Sequence, residues 1–545
     1  MKKYRDIHQH QYQLLPPSLD ELIDEKHLVR VIDKFVTSLS SRIWDGVFTG
    51  GGAPSYHPEM MLKVILYAYS TKLFSSRQIA RAIRQDVTFM WLAGMQQPNF
   101  NTVNRFRSNY LREILESVFT ELLDFLGAQG YVSFEDYFVD GTILEANAGR
   151  SSYVWSKNTR RYKAACRERV KALFREIEAL NIAEDEKYGD ADLPERGESS
   201  AITSEEIRAV AARLSEQLRT ITDKKRHRSL KSKVKKLDTH ADQLEKYEQQ
   251  ELVLNGRNSY SKTDQDATFI RLKDQRLRGA YNLQVSSENQ FVMHYSVSQT
   301  AADSAAYPAH FAKLVDRGEE YLPANYVGDS AYGSEENYHL LEKYDIGKYL
   351  KYNTFHQDEK KRKEKPPFHH DRFVYLEKED VFRCPANQRL VYRETIEQKS
   401  KTGFISKVRI YEGTACSECP FKSQCTKARG NRRIYYNVRL DHYKGEARTN
   451  LQSERGIALR KRRGMEIETF FGDLKHNQDF KRFSLRGLKK VEHELGLLSI
   501  AYNLRKYVQM MKKKQSVAGQ LIGLLENLWF FVRNNKNRSL YPVWV

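Results

Sequence analysis

The feature that most constrains this chain is an interruption. Residues 134–147 (FEDYFVDGTILEAN) are β-rich and aromatic, and that character resumes only near residue 258, so one sheet has to be assembled across roughly 100 residues of different composition. The intervening stretch, 155–255, is highly charged. Within it Ile207, Leu214 and Ile221 are seven apart, as are Leu230, Leu237 and Leu244, and Thr203 with Glu206 has capping-box spacing. This predicts a helical hairpin with its loop at the acidic residues 189–200. The nine-residue step from Ile221 to Leu230 breaks the heptad and argues against a long continuous coiled coil. Beyond the interruption the sequence predicts a hairpin of strands at 281–285 and 291–297, a helix at 304–316 and a strand running into Asp329. A helix from Ser334 and a strand at 347–352 follow. Strand, hairpin, helix, strand, helix and strand predict an α/β core around a mixed sheet.

Both flanks read as helical. In the first 130 residues, MMLKVILYAY follows His57-Pro58, and proline is favourable in a first helical turn. SSRQIARAIRQD (75–86) comes next, and after Pro98 a further helix opens at Asn101-Thr102-Val103-Asn104-Arg105-Phe106-Arg107, capped by Asn99 or Asn101. Short helices carrying Arg77, Arg105 and Arg107 near their starts resemble the way helix-turn-helix modules reach DNA; a plain helical bundle with solvated arginines is the alternative. Residues 358–372 (DEKKRKEKPPFHHDR) are too charged and proline-broken for a core and open a second insertion reaching about residue 445.

Lys and Arg number 90 against 70 Asp and Glu, a formal net charge of +20, and 32 Tyr and 26 Phe are distributed among them. That balance predicts attraction to polyanions and says nothing of fold. The first residues, MKKYRDIHQH, lack the apolar run of a signal peptide, and the longest apolar stretch, 517–532, is interrupted by Gln520, Glu526 and Asn527. A soluble, intracellular protein without a membrane span is expected, and five cysteines do not make a disulfide scaffold.

Three acidic residues stand out by context. Asp140 closes Tyr137-Phe138-Val139 and precedes Gly141, and Asp329 repeats the arrangement after Tyr326-Val327. Ligands gather at strand ends in α/β sheets, and two carboxylates meeting there need a cation between them; either aspartate alone reads as a turn residue. Glu468 lies on a helix whose Ile467, Phe470, Phe471 and Leu474 make one buried stripe, with Lys475 seven residues on and a basic run ending at Arg463 before it. A carboxylate for metal and a lysine for phosphate on one helix face suit phosphoryl transfer.

Taken together, these pieces resemble the DDE transposases of bacterial insertion sequences, close to the insertion sequence 1182 group, which is related to the fourth and fifth insertion-sequence families. The matching segments are His57-Pro58, the 101–107 run, VDGT at 139–142, GDSAYGS at 328–334, IETFFGDLK at 467–475, FSLRG at 483–487 and AYNL at 501–504. The resemblance implies a ribonuclease-H-like catalytic core with a mixed five-stranded sheet, and Asp140, Asp329 and Glu468 as catalytic triad and metal ligands. It also implies Mg²⁺, with Mn²⁺ able to substitute, and double-stranded DNA as partner (terminal inverted repeats and target). A homodimer and a cytoplasmic, nucleoid-associated location are further expectations. Arg463 and Lys475 are the expected phosphate contacts. The family's arginine stands one place nearer the glutamate than Arg463 does, and its upstream tyrosine is missing, which keeps Glu466 as the alternative to Glu468. The division expected is a helical DNA-binding domain (1–130), core (131–154), helical arm (155–257), core (258–355), second insertion (356–445) and a C-terminal catalytic helix with helical tail (446–545). A nuclease that cuts without joining, or an inactive DNA-binding derivative, are the rival readings.

Cys416 and Cys419 form a C-x-x-C, Cys425 follows six residues later and Cys384 lies upstream in the same insertion. Four thiolates would complete a structural zinc site; the alternative is four reduced, partly buried thiols. Cys166, in the arm, reads as inert.

Overall fold

The computed structural model describes residues 18–45, 55–188, 202–272, 274–360 and 366–535. Six helices come first: α1 (Leu28–Ser38), α2 (Pro58–Ser70), α3 (Ser76–Gln85), α4 (Val87–Leu92), α5 (Phe100–Arg105) and α6 (Leu111–Ala128). Helix α2 begins on Pro58 and is buried along most of its length, as its unbroken apolar run requires. Asn99, not Asn101, caps α5, accepting from the Thr102 amide at 2.9 Å.

The sheet starts with β1 (Asp136–Glu145). A neck of β2 (Tyr153–Trp155) paired to β3 (Ser259–Ser261) then carries the arm: α7 (Ser156–Tyr188), α8 (Ser204–Gln217) and α9 (Lys224–Leu254). Among its described residues the arm has three helices, not the two of a hairpin. The heptad break at Ile221–Leu230 marks the join of α8 to α9, where Asp223 caps the new helix. Val170, Leu173, Ile207, Leu214, Leu237 and Leu244 pack into a core belonging to the arm itself. The capping box at Thr203 and Glu206 is present; the acidic loop expected at 189–200 falls outside the described residues.

The sheet continues with β4 (Thr268–Arg271), β5 (Leu277–Glu288) and β6 (Phe291–Ser298). Next come α10 (Asp303–Arg317), β7 (Asn325–Gly328), α11 (Glu335–Lys343), β8 (Gly347–Leu350) and α12 (Phe355–Lys360). Its order is β4-β5-β1-β7-β8, with β6 also on β5; β7 and β8 run parallel to β1 and β5 antiparallel. There are six strands where five were expected, because β5 is long enough to pair β4 near its start and β6 along the rest of the same edge. The β5–β6 turn falls on Asn289 and Gln290, both at positive φ, so Ser286, Ser287 and Glu288 belong to the strand and not to the loop.

The second insertion is a five-stranded antiparallel sheet: β9 (Val374–Leu376), β10 (Val381–Arg383), β11 (Arg389–Lys399), β12 (Ile405–Gly413) and, after the short α13 (Lys422–Cys425), β13 (Arg433–Tyr436). Its core is small, built on Phe373, Phe382, Leu390, Tyr411 and Ile434. Helices α14 (Val438–Gln452), α15 (Glu454–Gly472) and α16 (Leu488–Asn535) close the chain. Helix α16 covers the outer edge of β6: Asn503 accepts from the Val292 amide and donates to its carbonyl, both at 2.8 Å, which blunts an edge that would otherwise be open. One apolar core runs from Val29 through α2, α6 and the sheet to Leu504, so the N-terminal helices are part of the same body as the sheet.

Candidate active site

The parallel register of β1 and β7 pairs Phe138 with Val327. Extending it by two residues sets Asp140 beside Asp329, the residue just past β7. Asp140 is not at a strand end as expected: β1 runs on to Glu145, still paired with β5, and only the β7 side opens at this point. The Asp140 carboxylate accepts its neighbour Gly141's amide at 2.9 Å and has Arg463 Nη1 at 3.7 Å. Burial pushes its pKa up to about 6, against the pull of Arg463 and the Gly141 amide, and the charges of Asp329 and Asp303 push the same way as burial.

Asp303 is the residue that sequence reasoning missed. It opens α10, and its Oδ1 accepts from Asn282 Nδ2 and Gln284 Nε2, both at 2.8 Å. Gln284 in turn accepts from the Tyr332 hydroxyl at 2.6 Å, and all three donors of this ladder are buried. A Cβ on Gly141 would stand 2.3 Å from Asp303 Oδ1 and 2.5 Å from Gln284 Nε2. The glycine of VDGT is therefore not a turn signal. It is the gap through which a third aspartate approaches β1. An acidic residue in a first helical turn is so common that nothing in the sequence separates Asp303 from a helix-dipole charge.

Glu468 is on α15, which crosses the sheet at β1 and β7 with Ile467 packed among Phe138, Val327 and Leu459. It lies about 140° round the helix from Arg463, is exposed, and is not among the charges that act most on Asp140. The structure brings Arg463 to Asp140 but leaves Glu468 turned outward. Glu466 is buried at 5 % exposure, with Oε2 on the Gln290 amide at 2.6 Å and Oε1 on Arg462 at 3.0 Å. One oxygen is committed to the β5–β6 turn and the other to Arg462 of its own helix.

Lys475 reaches β1, donating to Thr142 Oγ1 at 2.5 Å and the Ile143 carbonyl at 3.2 Å, because a π-turn over Asp473–Asn477 follows α15 and rotates it inward. Lys351, past β8, is a second cation that the sequence did not single out. Burial lowers its pKa, Arg463 and Arg460 lower it further, and Asp329 opposes them. Of the N-terminal arginines, Arg77 and Arg105 are exposed, Arg77 lying over the Phe100 ring at 5.1 Å. Arg107 is a correction: at 5 % exposure it donates to Tyr69 Oη, the Phe74 carbonyl and Asn104 Oδ1, tying α2 and the α2–α3 link to α5 and the segment after it. It is not placed to contact phosphate.

A polar cleft of ≈ 780 Å³ opens beside the aspartates, walled by Asp303, Ser330 and Ser334 on one side and by Gln398, Ser406 and Tyr435 of the second insertion on the other. Tyr435 is 60 % exposed. The donor set around Asp140 is all hard oxygen, and mutual repulsion is already raising one carboxyl, so a divalent cation fits these residues.

Asp140 and Asp329 thus meet beside the parallel strands β1 and β7, with Asp303 approaching from the β5 side and Arg463 and Lys351 as the neighbouring cations. Comparison with known families bears on this arrangement. Residues 383–508 match the Transposase DDE domain and residues 17–109 match the Transposase domain (DUF772), which together support a DDE transposase, with DNA binding and a divalent metal implied. The first match covers Glu468 and suggests a ribonuclease-H-like fold; Asp140 and Asp329 lie outside it and rest on their geometry. No curated protein and no solved structure matches the chain. Among the described residues no helix is long and apolar enough to cross a membrane.

Proposed function

We propose that this protein cuts phosphodiester bonds at the ends of a bacterial insertion sequence of the 1182 group and joins the freed 3′ ends to target DNA. The observation that carries the reading is the convergence of Asp329 and Asp303 on Asp140. Asp140, Asp329 and Glu468 would hold Mg²⁺, or Mn²⁺ in its place, and the metal supplies Lewis-acid activation of the attacking oxygen and stabilisation of the leaving one. Asp303, fixed by Asn282 and Gln284, keeps the Asp140 side of the site rigid. Arg463, beside Asp140, and Lys475, on β1, would contact phosphate, and exposed Arg77 and Arg105 would meet duplex DNA. Glu468 has to swing inward to join the aspartates. Pairing of two element ends calls for a homodimer, and the DNA substrate puts the working protein at the nucleoid.

The test is cleavage of a labelled element-end duplex with Mg²⁺, followed by strand transfer from a pre-cut end. Asp140→Ala, Asp329→Ala and Glu468→Ala should each abolish cutting while leaving duplex binding intact. Binding without cutting by the wild type in both Mg²⁺ and Mn²⁺ would overturn the reading.

A further inference from the structure

The second insertion poses a problem of stability. Its sheet has a core of five buried side chains, yet β11 and β12 run on well past it to the hairpin that helps wall the cleft. At the opposite end of that sheet the four cysteines come together. Cys384 sits in the β10–β11 turn, Cys416 and Cys419 follow β12, and Cys425 ends α13; all four line one cavity of ≈ 20 Å³, room for an ion and no more. Cys425 feels the charge of each of the other three.

Two of the sulfurs already accept backbone amides, while burial pushes the Cys425 thiol up. The Gln388 amide donates to Cys384 Sγ at 3.2 Å and the Arg432 amide to Cys416 Sγ at 3.5 Å. Asn387 takes up a left-handed conformation (φ 60°) in the turn that aims the first of these amides. A Cβ on Gly413 would lie 2.4 Å from Cys416 Sγ, so the strand gives way where the sulfur turns in. Lys422 and Arg432 border the cavity and offset the two negative charges that four thiolates leave over after a divalent ion is bound. In no trio do all the sulfurs lie within 4.8 Å of one another, against a tetrahedral edge of ~3.8 Å for zinc–sulfur bonds of ~2.3 Å, so binding draws the loops together.

We infer that Cys384, Cys416, Cys419 and Cys425 bind one structural zinc ion, which staples the far end of the second insertion's sheet and so holds its near end as a wall of the cleft. β11 runs roughly 25–30 Å, at about 3.3 Å per residue, from the cysteine end of its sheet to the end that walls the cleft. The ion takes no part in the chemistry, and soft thiolates select zinc over magnesium.

The experiment uses the full chain purified without a histidine tag. Elemental analysis should find about one zinc per chain, retained in Cys166→Ser and in the double variant His369→Ala/His370→Ala, and lost in Cys416→Ser/Cys425→Ser. The histidine variant is needed because His369, His370 and Asp371 bring three ligand atoms within 4.8 Å and are the rival site. Cobalt-substituted wild type should show the intense visible bands of tetrahedral thiolate coordination, a readout that survives if the cysteine variants do not fold. Chelation with a zinc-selective reagent should speed proteolysis between residues 384 and 436 by about tenfold and leave the arm's cleavage unchanged. Five freely titrating thiols in native, zinc-free protein would overturn the inference, as would zinc retained in Cys416→Ser/Cys425→Ser.

Discussion

The stretch of β1 from Asp136 to Asp140 lies under one helix, and its two ends are treated in opposite ways. At the start of the strand every carboxylate is met by close donors. Glu288 accepts from the amides of Ser133, Phe134 and Glu135 and from the Ser133 hydroxyl, and Asp136 accepts from Asn325 and Arg455 at 2.9 and 3.0 Å. Glu466 is held by the Gln290 amide and Arg462. Four residues along, Asp140 has one neighbouring amide and an arginine at 3.7 Å, and burial, helped by two more aspartates, pushes its pKa up to about 6. One end spends its charges on holding β1, the β5–β6 turn and α15 together. The other keeps charge uncompensated, and uncompensated buried charge is where a ligand's binding energy can be used.

The largest effect that would break this contrast is catalytic. Asp140→Ala or Asp329→Ala should lower cleavage by about three orders of magnitude or more, with the melting temperature held or raised. Lost activity accompanied by unfolding would mean the two ends do not differ in kind. Next comes the structural end. Glu466→Ala leaves Arg462 and the Gln290 amide without their acceptor and should cost about 2–4 kcal/mol in denaturant unfolding, with little change in cleavage per folded molecule. A variant as stable as wild type but unable to cut would move the catalytic glutamate to 466.

The third prediction is a pH dependence. A carboxyl whose pKa is raised in the fold costs nothing below its ordinary value near 4. The penalty for ionising it grows as pH climbs to about 6 and is complete above that. In metal-free buffer at pH 8, Asp140→Asn should therefore be about 1–2 kcal/mol more stable than wild type, and the difference should vanish below pH 4. Added Mg²⁺ should stabilise the wild type and leave the variant where it was. Equal stability across the range would mean that Asp140 is not the strained carboxylate.

Much of this was legible in the sequence because it is carried by local patterns. The aromatic run into Asp140, the strand into Asp329 and the apolar stripe of α15 each announce their element, and the register of the two parallel strands then brings the aspartates together without further information. What was not legible depends on contacts distant in sequence. Asp303 comes to Gly141 across 162 residues, with the arm between them, and a helix-start aspartate has no local mark of that meeting. Arg107 reads as a DNA contact until Tyr69 and Phe74 are seen around it. Ile221 and Leu230 fit a single helix poorly, yet only the cap at Asp223 shows that Ile221 lies in the link between α8 and α9 and Leu230 inside α9. Nor does spacing mark Glu466 as the acceptor of the Gln290 amide in the β5–β6 turn.

The smallest effect sharpens the contrast most, since it compares adjacent residues. Arg462 and Arg463 stand side by side on α15, one hydrogen-bonded to buried Glu466 at 3.0 Å and the other 3.7 Å from Asp140. Arg462→Gln should cost about 1–2 kcal/mol, because a buried carboxylate loses its charged donor. Arg463→Gln should cost well under about 1 kcal/mol, since its pairing is long and partly solvated. Its consequence is electrostatic instead: without that guanidinium nothing but the Gly141 amide opposes burial at Asp140, whose pKa should rise further. Cleavage by Arg463→Gln should therefore need higher pH or more Mg²⁺ to reach half its maximal rate, whereas Arg462→Gln should follow the wild-type profile. Identical profiles for the two variants would show that Arg463 serves the fold as its neighbour does, and the proposed division of β1 into a holding end and a working end would fail at its boundary.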